Sequence, residues 1–151
     1  MTVEELVLCG RYPHHTFPIR YGVKDRQIAR DAMEVSREKM RPGNPTRDAQ
    51  QAVLDFYKKA LRAAKLITED SEIGKYYYHG VSHSLGLDTH DPCDRAVYEP
   101  GMVLTNEPGL YVAEEGIGIR LENDILVTEG APVDLVGDRL LDISEIENVM
   151  A

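Results

Sequence analysis

The chain has 151 residues and a mass of 17.0 kDa, which is the size of one domain with a sizeable core. Its formal charge is -9 at pH 7 and its lysines and arginines are dispersed, which excludes a cationic surface for nucleic acid or anionic membranes. No apolar run reaches the roughly 20 residues of a membrane span, and Cys9 and Cys93 lack disulfide or zinc-finger spacing, so we expect a cytoplasmic protein with reduced thiols.

Residues 1–22 are predicted to be irregular because Pro13 and Pro18 interrupt regular structure, apart from a short strand near Glu5 to Leu8. A first helix is expected from Lys24 to Met40, where a proline-glycine pair follows. Its apolar residues recur at helical spacing: Ile28, Ala32 and Val35.

A second helix is expected to begin after Asn44, which can cap it, with Pro45 in the first helical position. The pattern ends near Leu66. Its predicted apolar stripe steps by three or four residues and comprises Ala49, Val53, Phe56, Ala60 and Ala64.

Beyond the helices, four short β-prone runs are separated by glycines. Two helices followed by an antiparallel sheet make an α+β arrangement. The runs are Met102 to Asn106, Leu110 to Val112, Ile117 to Leu121 and Asp124 to Thr128.

The candidate chemistry lies in the same part of the chain. His79, His83 and His90 fall within twelve residues, and Glu107 and Glu122 follow them. Imidazole and carboxylate groups are the ligands from which hydrolytic divalent-metal sites are made. The pattern therefore predicts a metal-dependent hydrolytic site.

Strand geometry adds detail to this site. Arg120 and Glu122 are two residues apart, so we expect them on one face of a strand. Glu107 ends an apolar strand just before a Pro-Gly turn, where a carboxylate needs a partner such as a metal. The alternatives are an arginine partner or a turn cap for Glu107, and an ordinary polar contact for His83.

Three segments resemble a known family. HGVSHSLGLDTHDP, EPGMVLTNEPGLYV and GIGIRLENDILVTE look like the carboxyl-terminal signature blocks of the pita-bread metallopeptidases, in particular aminopeptidase P and prolidase, with methionine aminopeptidase more distant. The resemblance extends from about Thr16 to the carboxyl terminus. It implies that residues 1–151 form a single truncated catalytic domain, the C-terminal half of a pita-bread fold with two helices and a curved antiparallel sheet.

Carried over by position, the resemblance implies that His83, Glu107 and Glu122 are metal ligands and that Glu107 is also the general base. It makes His79 a hydrogen-bonding partner of the substrate and His90 the residue that stabilises the tetrahedral intermediate. Arg120 would orient the carboxylates, and Tyr111 occupies the tyrosine position of the substrate site. The implied reaction is hydrolysis, by metal-activated water, of the peptide bond before a proline in the second position.

The chain departs from the family pattern in its first ligands. The family holds two metals with five ligands, and its two aspartates would fall on Tyr12 and at or before Met1. We therefore expect at most one weakly held divalent ion per chain, most readily manganese, with zinc or cobalt as alternatives. His14 and His15 are expected to be solvated.

These departures predict a shortened and impaired peptidase that forms a homo-oligomer or binds a polypeptide carrying the absent half-domain. Two other interpretations remain open. The chain could be an inactive pita-bread module that acts as a binding domain, or a fragment of a longer protein. The sequence does not distinguish dipeptide substrates from longer peptides.

Overall fold

The computed structural model describes residues 23–137, without the side chains of residues 23–27, Glu115 and Ile117. The strand expected near Glu5 to Leu8 lies outside the described residues. So do four positions discussed above: Cys9, Tyr12, His14 and His15. Within residues 23–137, no helix is long and apolar enough to cross a membrane.

The two predicted helices are present. Helix α1 spans Val23–Arg37 and helix α2 spans Arg47–Ala63, so both end about three residues before the predicted ends. The predicted start of α2 was wrong: its N-cap is Thr46 and not Asn44, and Pro45 precedes the helix, where it pairs with Val97. After α2, Lys65 adopts a left-handed backbone conformation with φ of 61°, and the Leu66 N–H donates to the Leu61 carbonyl at 2.9 Å. That bond closes the helix by satisfying one of its last carbonyls.

The buried face of α2 differs from the predicted stripe in its second half. Ala49 and Val53 are buried as expected, but Phe56 and Ala60 are only half-buried and Ala64 is exposed. Tyr57 and Leu61 are buried instead, because packing against residues outside the helix buries every fourth residue along one face. The Tyr57 ring packs edge-on against the Tyr77 ring, with 5.3 Å between their centroids.

The strands are antiparallel throughout. A three-stranded sheet has the order β1-β4-β5 and a two-stranded sheet pairs β2 with β3. Strand β5 was not among the predicted strands. The strands are β1 (Val103–Asn106), β2 (Gly109–Val112), β3 (Ile117–Arg120), β4 (Asn123–Leu126) and β5 (Val133–Asp134).

Both sheets share one register. The β1–β4 ladder ends with Asn106 opposite Asn123, and the β2–β3 ladder begins with Gly109 opposite Arg120. Continuing the first ladder by three residues gives the first pair of the second, so the two sheets are parts of one long hairpin interrupted in the middle. The interruption places Glu107 across from Glu122.

A further extended segment lies along the other side of β1. The Leu85 N–H donates to the Val103 carbonyl at 3.1 Å, and the Thr105 N–H donates to the His83 carbonyl at 2.9 Å. The Glu107 N–H donates to the Val81 carbonyl at 2.8 Å. Residues 81–85 therefore align with the whole length of β1 and bring the histidine block beside Glu107.

The core joins the helices to the sheet, and its largest fully buried side chains include Tyr57, Tyr98, Met40 and Ile125. Two hydrogen bonds of Asn106 fix the sheet to α1, one with the Met33 carbonyl and one in which the Ser36 hydroxyl donates to the Asn106 side-chain oxygen. Asn106 is buried at the end of β1 and its side-chain N–H donates to the Met33 carbonyl at 2.8 Å. These bonds hold the strand end, and hence Glu107, against the helix.

Candidate metal centre

Three side chains converge where the long hairpin is interrupted. His83 comes from the extended segment, Glu107 from the end of β1 and Glu122 from the residue before β4. One donor atom of each lies within 4.8 Å of the others. The predicted constellation is thus brought together in space, at a spacing that a single cation could span.

The donor chemistry fits a divalent cation. The His83 Nδ1–H donates to the Ser84 carbonyl at 3.2 Å, so Nε2, the nitrogen left to bind a metal, faces Glu107. Nε2 lies 3.3 Å from Glu107 Oε1. Two acceptors facing each other need a proton or a cation between them. Glu107 and Glu122 also lie opposite each other across the ladder, an arrangement that is unfavourable for two like charges.

Thr105 connects two of the candidate ligands. Its hydroxyl accepts a hydrogen bond from the His83 N–H at 3.0 Å and donates to Glu107 Oε1 at 3.2 Å. The Thr105 side chain is buried and lies two residues before Glu107, on the same side of the strand. Partners of this kind orient metal ligands and raise metal affinity.

Arg120 lies beside both carboxylates. Its guanidinium nitrogens lie 3.7 Å from Glu107 Oε2 and 3.8 Å from Glu122 Oε2. The expected shared face of Arg120 and Glu122 is therefore observed, and so is the arginine partner considered as an alternative for Glu107. Both ion pairs are long, and the Arg120 side chain is half-exposed. The pair with Arg120 involves Glu107 Oε2, so the other carboxylate oxygen, Oε1, faces His83.

His79 and Tyr111 form a second pair near the carboxylates. The His79 Nδ1–H donates to the Gly80 carbonyl at 2.7 Å, and Nε2 lies 2.9 Å from the Tyr111 hydroxyl. Burial raises the pKa of Tyr111, so its hydroxyl stays protonated and is available to donate to His79 Nε2. A side chain on Gly109 would meet both groups, since its Cβ would lie 2.5 Å from the Tyr111 oxygen.

His90 is exposed, in contrast to the other two histidines of the block. Its ring packs edge-on against the His83 ring with 4.3 Å between centroids. It is therefore adjacent to the three-donor group without being one of its members. The pairing of the segment with β1 ends at Leu85, which leaves the stretch around His90 on the surface.

Two contributing residues were missed at the sequence level. Thr105 could have been found, because it shares a strand face with Glu107. Gln50 had no signal: it lies on α2 beside the buried Ala49, and its side chain contacts residues 27 to 31 positions away.

The chain is similar to known metallopeptidases in sequence. Residues 16–129 match the model of metallopeptidase family M24. The Xaa-Pro aminopeptidase of Escherichia coli is 34% identical over an alignment that covers 89% of this chain and 36% of that protein. The Xaa-Pro dipeptidase of Pyrococcus furiosus is 32% identical, with 58% and 30% covered. The chain thus spans about a third of the length of these relatives.

Solved structures show the same similarity. A candidate aminopeptidase P from Bacillus anthracis superposes with a TM-score of 0.76 at 43% identity, covering 86% of this chain and 32% of that one. Zinc-substituted aminopeptidase P from Escherichia coli, in complex with product, gives a TM-score of 0.72 at 34% identity, with 83% and 33% covered. These neighbours carry the pita-bread fold, so the described helices and antiparallel strands form part of such a domain.

Proposed function

The chain belongs to metallopeptidase family M24, and from this membership we propose that it acts in the hydrolysis of peptide bonds that precede proline. The observation that carries the proposal is the convergence of His83, Glu107 and Glu122 within 4.8 Å. These three residues would hold a divalent cation, which when bound supplies Lewis acidity and makes water nucleophilic at neutral pH.

The surrounding side chains have chemistry suited to each step. Glu107, oriented by the Thr105 hydroxyl, can accept a proton from the attacking water as general base. His90 is exposed next to His83 and can donate to an oxygen that develops negative charge. His79, held between the Gly80 carbonyl and Tyr111, can bind the substrate near the scissile bond. Arg120 keeps the two carboxylates in place.

We propose manganese as the ion because two of the three donors are carboxylates, with zinc or cobalt as alternatives. The zinc-substituted form of the Escherichia coli relative supports zinc as a substitute. We also propose one weakly held ion, because three protein ligands suffice for one site with an open position and Glu122 is exposed. Metal analysis of protein purified without chelator checks this, and two tightly held ions per chain would contradict it.

The proposed substrates are peptides with proline in the second position. The relatives named above include both an aminopeptidase and a dipeptidase of this specificity, so both dipeptides and longer peptides belong in the assay. Impaired turnover, expected from the sequence, stays a prediction, as does a location in the cytoplasm.

Association with another polypeptide is also part of the proposal. Among residues 23–137, strand β5 lies at the edge of its sheet, where Val133 and Leu135 expose apolar side chains. Exposed edges with apolar residues favour pairing with another chain. Light scattering at high concentration checks it, and a strictly monomeric protein would count against it.

The central test is hydrolysis of Xaa-Pro peptides with added manganese by the wild-type chain and by Glu107→Gln. We expect turnover by the wild type and its loss in the variant, since the amide cannot take up the proton. Glu129→Gln serves as the control, because Glu129 is exposed and lies outside the three-donor group. If neither the wild type nor the variant hydrolyses the peptides, a binding module or a fragment of a longer protein replaces the peptidase as the proposed function.

A further inference from the structure

Gln50, in the first turns of α2, reaches across to the segment that carries His79. Its side-chain oxygen accepts hydrogen bonds from the Val81 N–H at 2.7 Å and from the Tyr77 hydroxyl at 3.1 Å. Its side-chain N–H donates to the His79 carbonyl at 3.4 Å. One amide group therefore contacts the backbone on both sides of Gly80.

Gln50 supports the backbone of this stretch from outside it. A Cβ built on Gly80 would meet only one atom within 4 Å, a backbone oxygen, so Gly80 itself has little packing to hold it. Without Gln50 the Val81 N–H would lose its partner, and the glycine would allow the chain on either side of it to relax.

A second path leads from Gln50 to the imidazole of His79. Burial raises the pKa of Tyr77, so its phenol stays protonated and donates to Gln50. The Tyr77 ring packs edge-on against the His79 ring, with 5.1 Å between centroids. Gln50 thus fixes both the backbone of His79 and the aromatic ring against which its side chain rests.

We propose that Gln50 is a positioning residue that sets the placement of the His79 imidazole relative to the three-donor group. The inference rests on the proposed function for its kinetic consequence. Gln50 contacts none of the three donors directly in the described structure, and its contacts with the His79 backbone and with the Tyr77 ring lead us to assign its effect to His79. Val81 also accepts the Glu107 N–H, so the experiments must separate a route through His79 from one through Glu107. Reactive groups must be held within about 0.5 Å of their productive geometry, and a shift of about 1 Å can cost up to 100-fold in rate.

The first experiment compares Gln50→Met with Gln51→Met. Gln51 is the exposed neighbour on the same helix and bonds only Asp55 among the described contacts, so it is a matched control. We expect Gln50→Met to lower kcat for an Xaa-Pro peptide at least about tenfold, with manganese affinity and KM changed less than about twofold. Gln51→Met should match the wild type. Equal losses in both variants, or a loss of manganese affinity in Gln50→Met, would overturn the proposal.

A double-mutant cycle separates positioning from general support of the fold. If Gln50 acts through His79, adding Gln50→Met to His79→Ala should lower kcat by less than about twofold further. A full additional loss in the double variant would mean that Gln50 acts elsewhere, and would overturn the proposal.

Hydrogen exchange of the backbone amides tests the positioning role of Gln50 independently of turnover. The Val81 amide should be protected in the wild type, retain protection in Gln50→Glu, which keeps the acceptor oxygens, and exchange at least about tenfold faster in Gln50→Met. The His79 ring signals should shift in Gln50→Met and not in Gln51→Met. If the wild type shows no turnover, the proposed function fails, and these signals alone decide the positioning role. If Gln50→Met does not fold, Gln50→Glu must keep Val81 protection, which needs only an acceptor oxygen, and must shift the His79 signals, because a carboxylate cannot donate to the His79 carbonyl; the absence of either result overturns the proposal.

Discussion

The two strand ends that carry the carboxylates are opposite each other in one register, yet their surroundings differ. The Glu107 side chain is 12% exposed and accepts a hydrogen bond from Thr105, whereas the Glu122 side chain is 40% exposed and contacts only Arg120 among the described ion pairs. From this difference we infer that Glu107 is fixed before a ligand binds, whereas Glu122 adjusts to the ligand.

The residues flanking the carboxylates repeat the contrast. Asn106 and Asn123 face each other across the ladder, and both are buried. Asn106 donates to the backbone of α1, which ties the Glu107 end to the helical layer. Asn123 donates to the Asp134 carboxylate on β5, at the edge of the sheet. The Glu107 end is therefore anchored in the core and the Glu122 end at the periphery.

The largest effect should come from removing each carboxylate in turn. We expect Glu107→Gln to weaken manganese binding more than about 100-fold and Glu122→Gln about tenfold, because a ligand held in place beforehand contributes more affinity. Isothermal titration measures both, with Glu129→Gln as the control. Equal losses of manganese affinity in the two variants would show that Glu107 is no more fixed in advance than Glu122.

The asparagine pair tests the same contrast in the free energy of unfolding. Asn106→Ala should cost about 2 kcal/mol, since it removes the hydrogen bonds to Met33 and Ser36 of α1 and leaves a cavity. Asn123→Ala should cost about 1 kcal/mol, because Asp134 keeps its bonds to the Val136 and Gly137 N–H groups. Urea denaturation gives both values. A larger cost for Asn123→Ala would reverse the assignment of core and periphery.

Replacing Thr105 by valine sharpens the comparison at the Glu107 end. The variant removes the hydroxyl that joins the His83 backbone to Glu107, and we expect manganese affinity to fall about tenfold. Thr105→Ser keeps the hydroxyl and should bind manganese almost as the wild type does. If the Thr105→Val variant binds manganese as tightly as the wild type, the burial of Glu107 alone is enough to orient its carboxylate.

The smallest effect is expected for Arg120, which serves both ends. Its side chain is 51% exposed, so Arg120→Met should lower the metal-free unfolding free energy by less than about 1 kcal/mol at low salt. The difference should vanish in about 1 M NaCl, where the screening length is about 3 Å. Arg95→Met removes a surface pair with Glu99 and is the control. A cost that persists at high salt would show that Arg120 acts by packing.

Local pattern was sufficient for the two helices, for strands β1 to β4 and for the strand-end position of Glu107, but it did not predict β5. The spacing of Ile28, Ala32 and Val35 predicted α1, and the alternation rule predicted the common face of Arg120 and Glu122. These features depend on neighbours within a few residues. The roles of His79, His83, His90, Glu107 and Glu122 in metal binding and catalysis came from resemblance and stay predictions.

Features that depend on distant partners were not predictable. The buried line of α2 shifts to Tyr57 because Tyr77, twenty residues later in the sequence, packs against it. The role of Gln50 depends on how the helix lies against the stretch around Gly80, and nothing in the sequence around Gln50 signals it. The shared register of the two sheets is likewise set by pairing across the hairpin, which no single strand encodes.

The tip of the long hairpin, Ala113–Gly116, lies at the far end of the second ladder from the carboxylates. Residues inserted there would lengthen a surface turn and leave every pair of the ladder unchanged. One residue inserted beside Pro108 would instead slip the register and turn the following side chains to the opposite face. The tip is therefore the natural place for evolution to lengthen this protein, or for an investigator to attach a fluorophore or an affinity tag.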